Sequence, residues 1–193
     1  MRGLLYLILA LAAVWSGYWF VGASAVERGA DAVLDEMRAQ GLQVEVADVA
    51  TRGFPNRFDT TATGIVLADP VSGVAWTAPF FQILALSYKP NHVIAALPDS
   101  QSLRIAGQTL DIVSEAMRAS VVVEAGTALT LDRTSFVAKT AQVTSTAGWR
   151  VALKDARFAT RQSGDDFAHD VGIAATDIVL PDAFRASVDP GGL

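Results

Sequence analysis

Two histidines, no cysteine and a thin scatter of carboxylates are what this 193-residue chain offers for chemistry. His92 stands by itself in "KPNHVIA", and one imidazole completes no metal geometry, so it reads as a hydrogen-bonding residue at a strand end. His169 has more company, in "GDDFAHD" beside Asp165, Asp166 and Asp170. On an extended strand Asp165, Phe167 and His169 share one face, while Asp166 and Asp170 take the other. Their oxygens do not converge on one cation, which favours a solvated acidic turn. Asp132 and Arg133 in "LDRT" read as a brace at a strand end, and "YKPNH" (88–92) as a hairpin loop. No nucleophile elbow, phosphate loop or dinucleotide fingerprint occurs. Without cysteine there are no disulfides, thiolate metal sites or cysteine nucleophiles. The expectation is a protein with no catalytic, cofactor-binding or metal-binding residues, and so not an enzyme.

The densest cluster of unusual residues, "RGFPNRFDT" (52–60), reads instead as a structural corner. Gly53 permits a positive φ or a bulge. Phe54 precedes Pro55 and is pushed toward an extended conformation, and Pro55, with no N–H, belongs at a strand entrance. Arg57 and Asp59 are two apart, share one face of a strand and can pair. Phe54 and Phe58 are expected to bury themselves as anchors of the turn. Each residue has a backbone or packing task, which favours a corner over a ligand site.

The elements that would position this corner divide sharply along the chain. From Gly3 to Val26 there is no charged residue, a run of about 36 Å as a helix against a hydrocarbon core of about 30 Å. A cleaved signal peptide ending at "ASA" (23–25) competes with an uncleaved anchor. Length favours the anchor, and so do Trp15, Tyr18, Trp19 and Phe20, an aromatic belt where the helix would leave the bilayer. Residues 1–26 are therefore expected to be a transmembrane signal-anchor. Residues 27–41 read as an amphipathic juxtamembrane helix with Val26, Ala30, Val33, Leu34 and Met37 on one face and Gly41 as its stop. With no proline between, the anchor is expected to run on into it.

Beyond Gly41 the apolar period changes from 3.6 to 2, beginning with Leu42, Val44 and Val46. Strand-like runs then recur between turn signals such as "ADPVSG", "PDSQ" and "STAG". Residues 42–193 are thus expected to be an antiparallel β-rich meander, and "IVSEAMRA" (112–119) a short second helix at most. The fold class is mainly β with an N-terminal helix, an α+β arrangement with a curved antiparallel sheet. Small apolar residues at the inward positions fit either a thin core under the helix or a sheet face lined with apolar side chains.

Charge narrows the partners. Arg2 alone precedes the apolar run, leaving the other basic residues outnumbered by 20 acidic ones. That balance argues against a nucleic-acid partner and against strong docking to an anionic surface. Arg2 and the amino terminus before the span, with Glu27, Asp31, Asp35 and Glu36 after it, favour N-terminus in and C-terminus out.

"GFPNRFD", "WTAPFFQILALSYKPNHVIAALP" (76–98) and "LDRTSF" (131–136), with Trp15, Tyr18, Gly22 and Glu27, resemble an alphaproteobacterial envelope family, domain of unknown function 2125 (DUF2125). The resemblance implies a single-pass inner-membrane anchor with the C-terminal domain in the periplasm. It implies no known activity and no catalytic residues. Members of that family usually run longer, so a chain ending at "DPGGL" is expected to be C-terminally shortened. A weaker likeness points to AsmA-like envelope proteins, which are associated with moving or shielding lipids. Two functions are consistent with all this: binding of lipid or another apolar ligand on a curved sheet, or a structural role contacting other envelope proteins.

Overall fold

A computed structural model describes residues 2–124, 130–164 and 168–181. The apolar run and the amphipathic segment form one unbroken helix, α1 (Arg2–Ala39). It ends where Gly41 N–H bonds to Arg38 O and Leu42 N–H to Met37 O, a paired closure with Gly41 in the left-handed region.

Among the described residues, eleven strands follow in a single antiparallel sheet. They are β1 (Gln43–Glu45), β2 (Asp48–Arg52), β3 (Arg57–Ala68), β4 (Ala75–Leu86), β5 (Lys89–Ala96), β6 (Ser100–Ile105), β7 (Gln108–Glu115), β8 (Arg118–Val123), β9 (Leu131–Ser145), β10 (Arg150–Gln162) and β11 (His169–Val179). Register shows that several are halves of longer passes. β1 and β2 both pair with β3, β5 and β6 both pair with β4, and β7 and β8 both pair with β9. The described residues therefore form a meander of eight long chain passes. The segment 112–119 is not a helix: Ile112 to Glu115 finish β7 and Arg118 opens β8. Its alternating residues find partners on β6 and β9, so tertiary pairing decides over a short helical pattern.

The breaks in the passes line up across the sheet. Gly64 (φ 60°) faces Pro79, between the pairs Thr63–Phe80 and Ile65–Ala78. Pro98 separates β5 from β6, and Ala116 (φ 55°) separates β7 from β8. Ala116 falls beside Ala138–Lys139 of β9, which stands opposite Asp155 (φ 46°) of β10. A proline lacks the ladder donor, and an extra or left-handed residue kinks its strand, so these positions form one transverse line of bending. Gly64 is required there, because an added Cβ would come within 2.9 Å of the Ala47 Cβ. Ala78, Pro98 and Ala138, which lie on this line, are almost wholly buried.

α1 lies over β1, β2 and β3, and its backbone approaches no other strand. Its first dozen residues project past the end of the sheet with their apolar side chains exposed. This is the helix long and apolar enough to cross a membrane.

Candidate functional site

The corner is where α1 and the sheet are fastened together. Gly53 (φ 106°) accepts hydrogen bonds from Asn56 N–H and Arg57 N–H at 3.3 and 2.9 Å, closing the turn from β2 into β3. Ser87 N–H donates to Asn56 O at 3.0 Å, tying the β4–β5 turn to it. Three aromatic side chains of α1 then donate to these turns. Trp15 Nε1 bonds to Pro55 O (2.8 Å), Trp19 Nε1 to Arg57 O (2.8 Å), and the Tyr18 hydroxyl to Ser87 O (2.7 Å). Further along, Thr51 N–H donates to the Glu27 carboxylate at 2.6 Å.

Packing reinforces these bonds. Trp19 is only 5% exposed, with its ring 5.9 Å from that of Phe58 and edge-on to that of Phe54. Gly22 lets the helix close on the sheet, since a Cβ there would lie 2.6 Å from Phe58 Cζ. Trp19, Ala23 and Phe58 make the buried cluster between helix and sheet. Phe54 differs from the expectation of burial: it is 51% exposed and stacked on exposed Phe20. The turn puts it on the outside of the helix contact, where Phe58 already fills the space. Trp15, Tyr18 and Trp19 direct their polar atoms at backbone carbonyls of the domain, a task the expected aromatic belt did not include. Arg57 and Asp59 pair through two contacts of 3.1 Å. Half-open to water, the pair contributes at most about 1 kcal/mol.

The same face of the sheet continues past the helix. Register carries one row of side chains across seven strands, from Thr60 through Ile83, Ala95, Ala119, Phe136 and Phe158 to Ile173. A parallel row runs from Phe58 through Ala85, Val93, Val121, Thr134 and Thr160 to Val171. Neither contains a charged residue. Their hydroxyls are matched in part among themselves, as between Thr134 and Thr160 at 2.8 Å. Only the Phe58 end lies under α1. Toward the far edge exposure climbs, from 38% at Phe158 to 79% at Ile173. Further from the corner, Leu34 and Met37 of α1 stand over Ala62, Ile65, Leu67, Trp76 and Phe81, lining an apolar pocket of about 220 Å³ that opens to the surface.

The opposite face is built differently. Its rows are mixed: Asp59, Leu84, Ile94, Ser120, Ser135 and Ala159 in one line, and His92, Val122, Arg133, Arg161 and Asp170 in the next. A broad depression of about 460 Å³ there is lined by Ser120, Arg133, Arg161 and Asp170 together with Ala159 and Gly172. His92, opposite Val122, lines a separate depression of about 240 Å³ with Arg57, Leu84, Leu86 and Ile94, and Asp132 lies 3.6 Å from Arg133. His169 Nε2 is 3.3 Å from Leu131 O. Asp165, Asp166 and Phe167 lie outside the described residues. Among the described residues no three histidine or acidic side chains gather in a way that could hold a metal ion.

The displaced acidities belong to exposed turns and edges. A hydrogen bond from Ser72, with a second from Val71 N–H, holds Asp69 below the usual carboxylate range. The Glu115 carboxylate raises Lys139, and Asp177 raises Lys154 through a 2.9 Å contact. None of these groups is on the apolar face.

The family model for an uncharacterized protein conserved in bacteria, DUF2125, matches residues 19–192. The chain belongs to the DUF2125 family. The matched span begins at Trp19, the helix residue buried against the corner, and takes in every strand. No curated protein and no solved structure matches the chain. The apolar rows escaped the sequence reading because a row is a property of register. Single strands showed alternation, but which residues stand side by side depends on how each strand pairs with its neighbours.

Proposed function

We propose that this DUF2125 protein is a single-span membrane protein without catalytic chemistry. In this reading its ectodomain binds acyl chains, of lipid or a similar apolar ligand, on the bare part of its apolar sheet face. The observation that carries it is the charge-free pair of rows running from beneath α1 to the open edge of the sheet. Isolated exposed apolar side chains are ordinary on a protein surface, but a contiguous apolar face marks a surface that meets something apolar. The absence of a nucleophile, base or metal cluster among the described residues fits a binding role.

Retention of the helix as an uncleaved anchor is supported by the clasp, because cleavage after Ala25 would remove Trp15, Tyr18, Trp19, Gly22 and Ala23 from the packed contact. Arg2 before the span and the acidic residues after it support an inner-membrane protein with its sheet in the periplasm. The full chain, extracted in mild detergent and washed, should carry lipid detectable by mass spectrometry. An Ile83→Asp, Val121→Asp variant should lose it. Equal lipid on both proteins, or none on either, would contradict the reading.

A second reading has its own observation. β11 is the last strand of the sheet, and its outer edge pairs with nothing among the described residues. Such an edge can accept a strand from another envelope protein. Crosslinking from β11 in intact membranes distinguishes the two, by yielding a protein adduct in place of a lipid.

A further inference from the structure

We infer that the turns at the helix end of the sheet lie in the lipid interface itself, so that the bilayer is a partner of the β domain as well as of α1. This rests on the reading of α1 as a membrane span and follows from length. Trp15, Tyr18 and Trp19 are hydrogen-bonded to Pro55, Ser87 and Arg57, which fixes both turns beside residues 15–19 of the helix. From Arg2 to Trp15 the helix rises about 20 Å, and to Trp19 about 26 Å. The hydrocarbon core is about 30 Å thick. With Arg2 at one boundary, the pinned turns are reached before the helix has cleared the other. Tilting the helix only shortens its vertical reach, and thinning the bilayer to match still brings headgroups to the turns.

The side chains at this level suit that depth. Phe20 and Phe54 stack on each other and stay exposed, and Tyr88 at the tip of the β4–β5 turn is exposed as well. Residues 53–56 carry no charge, and Lys89 follows Tyr88 with a side chain long enough to reach a phosphate. Tyrosine and tryptophan prefer this boundary zone because one part of the side chain is apolar and another is polar, and the Phe20 and Phe54 rings offer it apolar surface. The opposite end of the sheet, at the β3–β4 turn, ends in Asp69, Ser72 and a fully exposed Val71 braced by hydrogen bonds to Asp69. That turn has the character of one in water.

The chain has no cysteine, so single nitroxide labels can be placed cleanly. Full-length Phe54→Cys, Tyr88→Cys, Val71→Cys and Leu9→Cys variants would be reconstituted in vesicles of mixed zwitterionic and anionic phospholipid. Collision with oxygen against collision with a water-soluble nickel chelate would then report depth. The expected result is an oxygen-to-nickel ratio several-fold higher at positions 54 and 88 than at 71, with Leu9 higher still. Labels at 54 and 88 as open to nickel as the one at 71, with Leu9 still deep, would overturn the inference while leaving the anchor standing. A nickel-accessible Leu9 would remove the anchor, and the inference with it.

Discussion

One face of the sheet has two parts that share a chemistry and differ in what covers them. Under α1, Phe58 meets Trp19 and Gly22, and the contact is dry and close. Across the rest of the sheet the same rows, with Ile83, Val93, Val121, Phe136 and Phe158, have no helix over them. The covered part spends its apolar side chains on internal stability. In the proposed function, removing water from the bare part is work left for another molecule. A sheet needing only a core under one helix has no reason to keep charges off that face as far as Ile173, while the other face carries Asp59, Arg133 and Arg161.

If that division holds, substitutions in the covered part should cost stability, and those in the bare part should cost binding. The largest loss is expected for Trp19→Ala, which removes a buried ring and its bond to Arg57 O and should destabilise the domain by about 3–5 kcal/mol. Urea unfolding of the full chain in nanodiscs, followed by fluorescence of the remaining tryptophans, measures it. Gly22→Val forces atoms against Phe58 and should cost about 1–3 kcal/mol in the same assay. A wild-type midpoint for either would mean the helix is not docked.

Ser87→Ala is expected to move the other way. The Ser87 hydroxyl is buried with no partner among the described residues, although its carbonyl holds Tyr18. Its loss should be neutral, or stabilise by up to about 1 kcal/mol. A clear destabilisation would show that the hydroxyl has a bonded partner in the membrane. In the bare part, Val171→Ser with Ile173→Ser should change stability by no more than about 0.5 kcal/mol per site while lowering retained lipid. A large loss of stability with lipid unchanged would make this edge part of the core.

The smallest effect concerns the β3–β4 turn. Asp69 titrates below its ordinary value when folded, so it binds protons more readily when unfolded. Its support for the turn is present above the ordinary carboxylate pKa and is lost as pH falls through the lowered folded value. Amide exchange at Val71 should accelerate relative to neighbouring turns in that acid window, and Asp69→Asn should abolish the pH dependence.

Much of this architecture was legible from residue order. The charge-free run, the 3.6-residue pattern to Gln40, Gly41 and the later period of 2 mark one helix followed by a meander, because each is a local property. "GFPNRFD" advertised a corner, but its partners did not show, since Trp15 and Pro55 are 40 residues apart and meet only through tertiary packing. Phe54 and Phe58 look alike in sequence, and the turn sends one outward and the other under the helix. "IVSEAMRA" could be read either way until pairing with β6 and β9 settled it as strand. The apolar face was the hardest to see, because its rows exist only once strands distant in sequence are paired in register.

The most direct test places a photoreactive benzophenone side chain at Phe136 or at Ser135, neighbours on β9 that belong to opposite faces. After irradiation of the full-length protein in native membranes, the account predicts lipid adducts at position 136 and few at 135. No lipid at 136, or equal yields at both positions, would contradict it.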